Sequence, residues 1–373
     1  MAKRKFSSLH VLIACGGTGG HLFPGIAIGE VLKSRGHEVT LLISEKKIDS
    51  LAASGHADLN FEKMPFLAMP PVLSPRMIPF GIGFVSGLKA CRKLIKEKNI
   101  KVVLGMGGFT STAPVMAGRW SKCKTFIHDS NAIPGKANRL TARFCDTVLL
   151  GFDEAKTYFP KTETKLVGTP VRSNLRAAAK NSKEDPYKHF GLSPDRKTLL
   201  IVGGSQGARG VNNAVAHSLN HLDALGIQLL HITGPTDYKD IKDHYQGKLI
   251  AVRSHVAAFC HRMDLAYRVA DVALARSGAS TLAELACFGV PSLLVPYPSA
   301  ADDHQTKNAE IFDKAGAGIL ITETDLSPEK LAQTVGDILK NDKKRNAMKA
   351  AARKLAHDNA AEKIAKIIEE SAS

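Results

Sequence analysis

Cysteine is sparse and scattered in this chain of 373 residues. The six cysteines, Cys15, Cys91, Cys123, Cys145, Cys260 and Cys287, include no pair at Cys-x-x-Cys spacing. That argues against a zinc site or a disulfide framework and fits a reducing cytoplasm. No apolar run reaches the roughly 18 to 20 uncharged residues that span a bilayer. No aromatic-basic module or recognition helix is visible, so nucleic acid is not an expected partner. Acidic residues are in deficit, with 35 Asp and Glu against 51 Lys and Arg, a formal net charge of +16. With nucleic acid set aside, that balance points to anionic lipid or phosphate-bearing substrates.

At roughly 150 residues per domain, the length predicts two domains. Short apolar runs read as buried parallel strands at Val11–Ala14, Val39–Ile43, Val102–Leu104, Thr125–His128, Thr147–Leu150, Thr198–Val202, Gln228–Thr233, Val272–Ala275 and Ser292–Val295. Helical patterns such as Gly25–Ser34 and Ser280–Cys287 lie between several of them. The alternation predicts an α/β architecture with parallel sheets covered by helices. The basic Lys3-Arg4-Lys5 and the apolar run ending at Cys15 mimic a lipoprotein signal. The run is short and His10 interrupts it, so a first strand entering a glycine turn is the better reading. Polar residues and Pro170 and Pro186 mark 168–188 as an interdomain linker. The tail from Ser327 reads as two or three helices, with Ser327 capping one and Asn359 another.

Two strands run into glycine turns, Gly16-Gly17-Thr18-Gly19-Gly20-His21 and Gly203-Gly204-Ser205-Gln206-Gly207-Ala208. Where a strand becomes a helix, free N–H groups and the helix dipole face outward, and glycine lets an anion approach the backbone. Neither turn is the dinucleotide fingerprint: Leu22 stands where the third glycine belongs in the first, and Ser205 spoils the second. Each turn taken singly serves tight strand–helix packing equally well. Two turns, one per half, predict a cleft at the carboxyl edges of two sheets. His21, at a predicted helix start, is disfavoured as imidazolium and suits a base, or else caps the helix. Ser280 and Thr281, after Arg276-Ser277-Gly278, can cap a helix or hold phosphate. Glu284, one turn further, can accept two hydrogen bonds from vicinal hydroxyls such as those of a ribose. Asp302, Asp303, His304, Gln305 and Asn308 follow a strand end and can read sugar hydroxyls; no metal is expected there. His128-Asp129-Ser130-Asn131 and Gly105–Ser111 also follow strands. In 77–88, Ile78, Phe80, Ile82, Phe84 and Val85 stand near Arg76, Lys89, Arg92 and Lys93. Such a stretch suits an anionic membrane surface, or else packs into the core.

Taken in order, GGTGGHLFPGIAI from Gly16, GMGGFTS from Gly105, HDSNAIPGKANR from His128, GTPVR from Gly168, GGSQGARGVNN from Gly203, RSGASTLAE from Arg276, PSLLVP and HQTKNA to Ala309 span nearly the whole chain. The ordered set resembles the MurG family, bacterial transferases that add N-acetylglucosamine to an undecaprenyl-diphosphoryl muramoyl-peptide lipid in peptidoglycan synthesis. The resemblance implies a GT-B fold of two Rossmann-like domains with a deep interdomain cleft. It places an acceptor domain over 1–172, a UDP-sugar domain over 173–352, and a last helix of about 353–373 returning to the first domain. By motif, the donor residues are Thr18, Gly19, Gly20, Asn131, Arg172, Ser205, Cys260 with the Phe259 backbone, Ala279, Ser280, Thr281, Leu282, Ala283, Glu284 and Gln305. Gly107, Gly108, Phe109 and Asn138 fall on the acceptor side. The family commonly has Glu-Gln where Asp129-Ser130 stand here, so the reach of Asp129 is one methylene shorter.

The mechanism implied is one in-line displacement, with UDP-N-acetylglucosamine as donor, the muramoyl 4-hydroxyl as nucleophile and an inverted anomeric centre. His21 is the first candidate base, with Asp129 or His128 second, and no cofactor or catalytic metal is expected. Arg172 and Arg276 are candidates to stabilise the departing UDP. The protein is expected as a peripheral enzyme on the cytoplasmic face of the inner membrane, near other cell-wall synthesis proteins. The competing readings are another GT-B glycolipid transferase, a UDP-sugar epimerase, and a non-catalytic nucleotide-sugar-binding membrane adaptor.

Overall fold

The computed structural model describes residues 8–17, 19–45, 56, 58–64, 70, 74–180, 184–204, 207–247 and 252–372. The chain divides into two compact units, Met1–Ser173 with His357–Ser373, and Asn174–Ala356. Each is built on one parallel sheet.

Among the described residues the N-terminal sheet has seven strands: β1 (His10–Ala14), β2 (Glu38–Ser44), β3 (Asn60–Met64), β4 (Val102–Gly105), β5 (Lys124–Asp129), β6 (Thr147–Leu150) and β7 (Glu163–Leu166), in the order β3-β2-β1-β4-β5-β6-β7. Among the described residues the C-terminal sheet has six: β8 (Thr198–Val202), β9 (Gln228–Ile232), β10 (Ser254–Ala257), β11 (Val272–Ala275), β12 (Ser292–Leu294) and β13 (Gly318–Leu320), in the order β10-β9-β8-β11-β12-β13. Strands such as Thr198-Leu-Leu-Ile-Val202 are buried along their whole length because helices cover both sheet faces. The nine expected strands all form. The four that the apolar runs did not signal, β3, β7, β10 and β13, are the four sheet edges. An edge strand such as Glu163-Thr-Lys-Leu166 is largely exposed, so its sequence carries no apolar run.

In both sheets the order reverses beside the first strand. β1 lies between β2 and β4, and β8 lies between β9 and β11. Ala14 pairs with Gly105 and Ala275 with Val202, so the loops leaving β1 and β4 start side by side, as do those leaving β8 and β11. Such switch points are where open parallel sheets bind ligands.

Several expectations need correction. The first helix spans Gly19–Ser34 rather than starting at Gly25. Gly19, Gly20, Pro24 and Gly25 are poor helix formers and hid its first turns. The units part after Ser173, within the expected linker 168–188, and that stretch also holds the helix Ser173–Lys180 and the start of Pro186–Phe190. Ser327 does cap its helix, its hydroxyl accepting from the Lys330 N–H at 3.2 Å. Asn359 makes no side-chain cap. The last helix, Ala360–Ser371, buries Ala361, Ile364, Ala365 and Ile368 at helical spacing in the N-terminal core. Glu369, 6% exposed, accepts from His37 Nε2 at 3.0 Å and Arg35 Nη1 at 2.9 Å. The Leu9 N–H donates to His37 Nδ1, which fixes the ring proton on Nε2.

Met77–Glu97 is one helix. Ile78 and Ile82 are 72% and 68% exposed, in line with Val85, Lys89 and Arg92. Phe80 and Phe84 do not share that face. They are half-buried, 6.3 Å apart, and Phe80 meets Phe109 edge-on at 6.2 Å. Among the described residues, no helix is long and apolar enough to cross a membrane.

Candidate functional site

In the N-terminal unit a cluster forms at the carboxyl ends of β1, β4 and β5. After β1, Gly16 lies so close to the Ser44 N–H that a side chain would collide with that backbone, and Gly17 has a φ of 115°. The chain then enters the helix that carries His21 as its third residue. After β4, Gly107 and Gly108 turn with φ of 118° and 72°. A Cβ on Gly107 would lie 2.9 Å from His21 Nε2 and 3.2 Å from Asn138 Nδ2, so only glycine lets this backbone lie against the imidazole. Thr110 ties the two turns by donating to Gly16 O at 2.8 Å. Gly108 caps the following helix, Phe109–Trp120, without a side-chain bond.

The third strand end supplies side chains that hold one another. Asn138 Nδ2 donates to Asp129 Oδ2 at 2.7 Å, and Asn138 Oδ1 accepts from the Gly108 N–H at 3.2 Å. Asp129 Oδ1 also accepts from the Asn131 N–H at 2.9 Å. The carboxylate is 1% exposed and is spent on bracing two loops, so a positioning role replaces the base role considered for Asp129. His128 is also corrected. It is wholly buried, its Nε2 donates to Gly168 O at 2.9 Å, and its Nδ1 lies 3.2 Å from the Ser130 hydroxyl. Burial pushes its pKa down to about 4, the Gly168 bond opposes that, and the His21 charge adds to it. With both ring nitrogens engaged, His128 is a neutral brace that anchors Gly168, whose φ of 85° and contact with His357 also require glycine. His21 is the remaining base candidate. Gly19, Gly20 and Asn131 border the same strand ends, and the Arg172 guanidinium lies 4.4 Å over the Phe23 ring. Thr18 lies outside the described residues.

In the C-terminal unit the strand ends are furnished mainly with backbone. After β8, Gly204 and Gly207 have φ of 87° and 80°, and a Cβ on Gly207 would run into Thr233 O. Ser205 lies outside the described residues. The helix Arg209–His217 follows, and its N-cap residue, Ala208, brings no side-chain bond to it. After β11, Gly278 is the N-cap of the helix Ala279–Phe288 and brings no side-chain bond to it. N–H groups left by such starts suit a phosphate. Away from these turns, helices are capped by Asp185, Ser327 and Asn341. Ser280, Thr281, Ala283 and Glu284 are partly exposed, whereas Ala279 and Leu282 point into the core and offer a ligand only backbone.

Gln305 and Asn308 brace the same loops. Gln305 Oε1 accepts from the Tyr297 N–H at 3.0 Å, Gln305 O accepts from Ser277 Oγ at 2.8 Å, and Asn308 Nδ2 donates to Ser277 O at 3.1 Å. Arg276 is corrected as a candidate for the departing charge. It is 7% exposed, bonds Val295 O and Pro296 O, and is paired with Glu323. Cys260 is half-buried, with its thiol pKa raised by burial, next to the exposed Phe259. Among the described residues, no group of three His, Cys, Asp or Glu is gathered as metal ligands.

The motifs did not point to a buried network behind the β8 turn. Asn212 Nδ2 donates to Thr233 O and to Asp237 Oδ2, each at 2.8 Å, while Asn212 Oδ1 meets His231 Nε2 and His231 Nδ1 meets the Tyr245 hydroxyl, each at 3.0 Å. Burial pushes the His231 pKa down to about 3. The signal was present: Asn212 sits on the apolar stripe with Val211 and Val215, and His231 interrupts an apolar strand. Polar residues at core positions have to be paired.

The N-terminal domain of glycosyltransferase family 28 matches residues 11–150, and its C-terminal domain matches residues 198–368. A UDP-N-acetylglucosamine–N-acetylmuramyl-(pentapeptide) pyrophosphoryl-undecaprenol N-acetylglucosamine transferase of Geobacter sulfurreducens is 36% identical, over 95% of this chain and 97% of that protein. The transferase of the same name from Halalkalibacterium halodurans is 31% identical, over 97% and 99%. Among solved structures, MurG of Acinetobacter baumannii matches with a TM-score of 0.74 at 25% identity, covering 97% of this chain and 99% of that one. A Listeria monocytogenes protein described as a putative UDP-N-acetylglucosamine 2-epimerase matches with a TM-score of 0.73 at 15% identity, covering 98% and 97%, which speaks to the fold alone.

Proposed function

The chain belongs to glycosyltransferase family 28 and, within it, to the MurG transferases, and on that premise we propose that it moves N-acetylglucosamine from UDP-N-acetylglucosamine to the 4-hydroxyl of the muramoyl sugar of undecaprenyl-diphosphoryl-muramoyl-pentapeptide. The observation that carries the reading is the likeness to such transferases over nearly the full length of both chains. The two switch points fit it: one holds a histidine against glycine backbone, the other two helix starts after glycine turns and a glutamate.

The reaction is one displacement. The acceptor 4-oxygen bonds to the anomeric carbon, the bond from that carbon to the UDP oxygen breaks, and His21 takes the hydroxyl proton. An α-linked donor gives a β-linked product. General-base help of this kind is worth about 10²–10⁴ in rate. The charge left on UDP is met by the helix starts after Gly204 and Gly278, preorganised dipoles that need not reorient during the reaction. Thr18, Gly19, Gly20, Asn131, Arg172, Ser205, Cys260 and Gln305 complete the donor site by motif, and Glu284 takes the ribose hydroxyls. Gly107, Gly108, Phe109 and Asn138 face the acceptor. No metal takes part in this mechanism.

The enzyme works as a peripheral protein at the cytoplasmic face of the inner membrane. The exposed Ile78, Ile82 and Val85 enter the interface and Lys89 and Arg92 meet anionic headgroups, at about 1 kcal/mol per cation. Transfer of labelled N-acetylglucosamine to the muramoyl-diphosphoryl lipid, with and without a chelator, tests the reading. Transfer unaffected by chelator is expected. No transfer would reject the function, and loss with chelator would reject metal independence.

A further inference from the structure

Glu284 is held by a partner outside the glycine turns. Its Oε2 accepts a hydrogen bond of 2.7 Å from the hydroxyl of Tyr267. Tyr267 lies on the helix Met263–Val269, just before β11, and is 3% exposed. Its ring packs on Phe288, with centroids 5.2 Å apart and planes 36° apart. Phe288 is one turn beyond Glu284 on the helix Ala279–Phe288. The ring therefore lies along one face of that helix, seated on the later turn, and delivers its hydroxyl to the earlier one.

A glutamate on a helix surface samples several rotamers and loses that freedom when a ligand binds. The Tyr267 hydroxyl settles the rotamer beforehand. A hydroxyl donating to a carboxylate also favours its ionised form, which accepts hydrogen bonds and donates none. We propose that Tyr267 is a positioning residue that preorganises Glu284 for the ribose hydroxyls of a uridine diphosphate, and so sets the preference for ribose over its deoxy forms. This rests on the donor-site reading above.

Tyr267→Phe keeps the ring on Phe288 and removes only the donor. Calorimetry on the full chain with UDP and with 2′,3′-dideoxy-UDP reads the effect without any transfer step. The Kd for UDP should rise about tenfold, within the range of a hydrogen bond to a charged group, while that for the dideoxy compound moves less than about twofold. In turnover, the KM for UDP-N-acetylglucosamine should rise with kcat within about twofold, the pattern of lost uniform binding. Equal losses for both nucleotides would mean general damage and overturn the proposal, as would unchanged UDP binding. A wild-type chain that binds the two nucleotides equally would overturn it as well. A wild type that binds UDP but transfers no sugar would defeat the transfer reading alone, leaving the nucleotide comparison to decide the role of Tyr267.

Discussion

In the N-terminal unit the switch point is furnished with side chains that hold other side chains. Asp129 grips Asn138, Asn138 grips the Gly108 turn, and that turn lies against His21. In the C-terminal unit the equivalent place is furnished with backbone, two glycine-bearing turns that open helices whose N-cap residues bring no side-chain bond, and Glu284 as a partly exposed carboxylate. The same parallel topology thus offers two kinds of chemistry. A side-chain cluster can hold a base at a chosen atom. Helix starts can hold a diphosphate, because they carry charge complementarity with no group to protonate.

The sharpest way to break that contrast is kinetic. His21→Ala should lower kcat by about 10²–10⁴ with the donor KM little changed, whereas Glu284→Ala should chiefly raise the donor KM. Steady-state rates over a range of UDP-N-acetylglucosamine concentrations separate the two. If both variants moved the same constant, the division of labour would fail.

A second test uses acid. Burial pushes the pKa of one histidine in each unit well down, to about 4 at His128 and about 3 at His231. Both lie below the unfolded value, so the unfolded chain binds more protons as the pH falls below about 6.5. Stability is therefore full above that pH and is lost as the solution is acidified toward the folded pKa values, by about 2–3 kcal/mol per histidine near pH 4.5. Denaturant midpoints from pH 7.5 to 4.5 check this. His231→Gln should flatten the loss attributable to the C-terminal unit and leave that of the N-terminal unit.

Smaller effects sharpen the picture. Asn138→Ala removes the donor to the buried Asp129 Oδ2 and should cost the N-terminal unit about 2 kcal/mol, with a lower kcat as the Gly108 turn loosens. Urea melts read by hydrogen exchange would show the loss confined to that unit. Glu369→Gln keeps the shape of the returning helix and removes its charge from His37 and Arg35. About 1 kcal/mol should go from the same unit, seen as a lower melting temperature with UDP affinity unchanged.

Much of this was legible in the sequence because buried parallel strands need unbroken apolar runs, and a strand that turns at once into a helix needs glycine. Gly16, Gly107 and Gly207 each lie where a Cβ would strike a neighbour. Edge strands escaped because one exposed side relaxes the apolar requirement, as Asn60-Phe-Glu-Lys-Met64 shows. The roles of His128 and Asp129 escaped for another reason. A motif gives residue types, but only the fold shows that both ring nitrogens and both carboxylate oxygens are engaged. Tyr267 had no signal at all, being an ordinary aromatic in an apolar helix whose importance lies in where its hydroxyl ends.

The stereochemistry of the transferred sugar tests the account most directly. Proton coupling constants of the disaccharide lipid formed from the α-linked donor should report a β linkage, as a single displacement with one base requires. An α-linked product would contradict it, since a single backside displacement inverts the anomeric carbon.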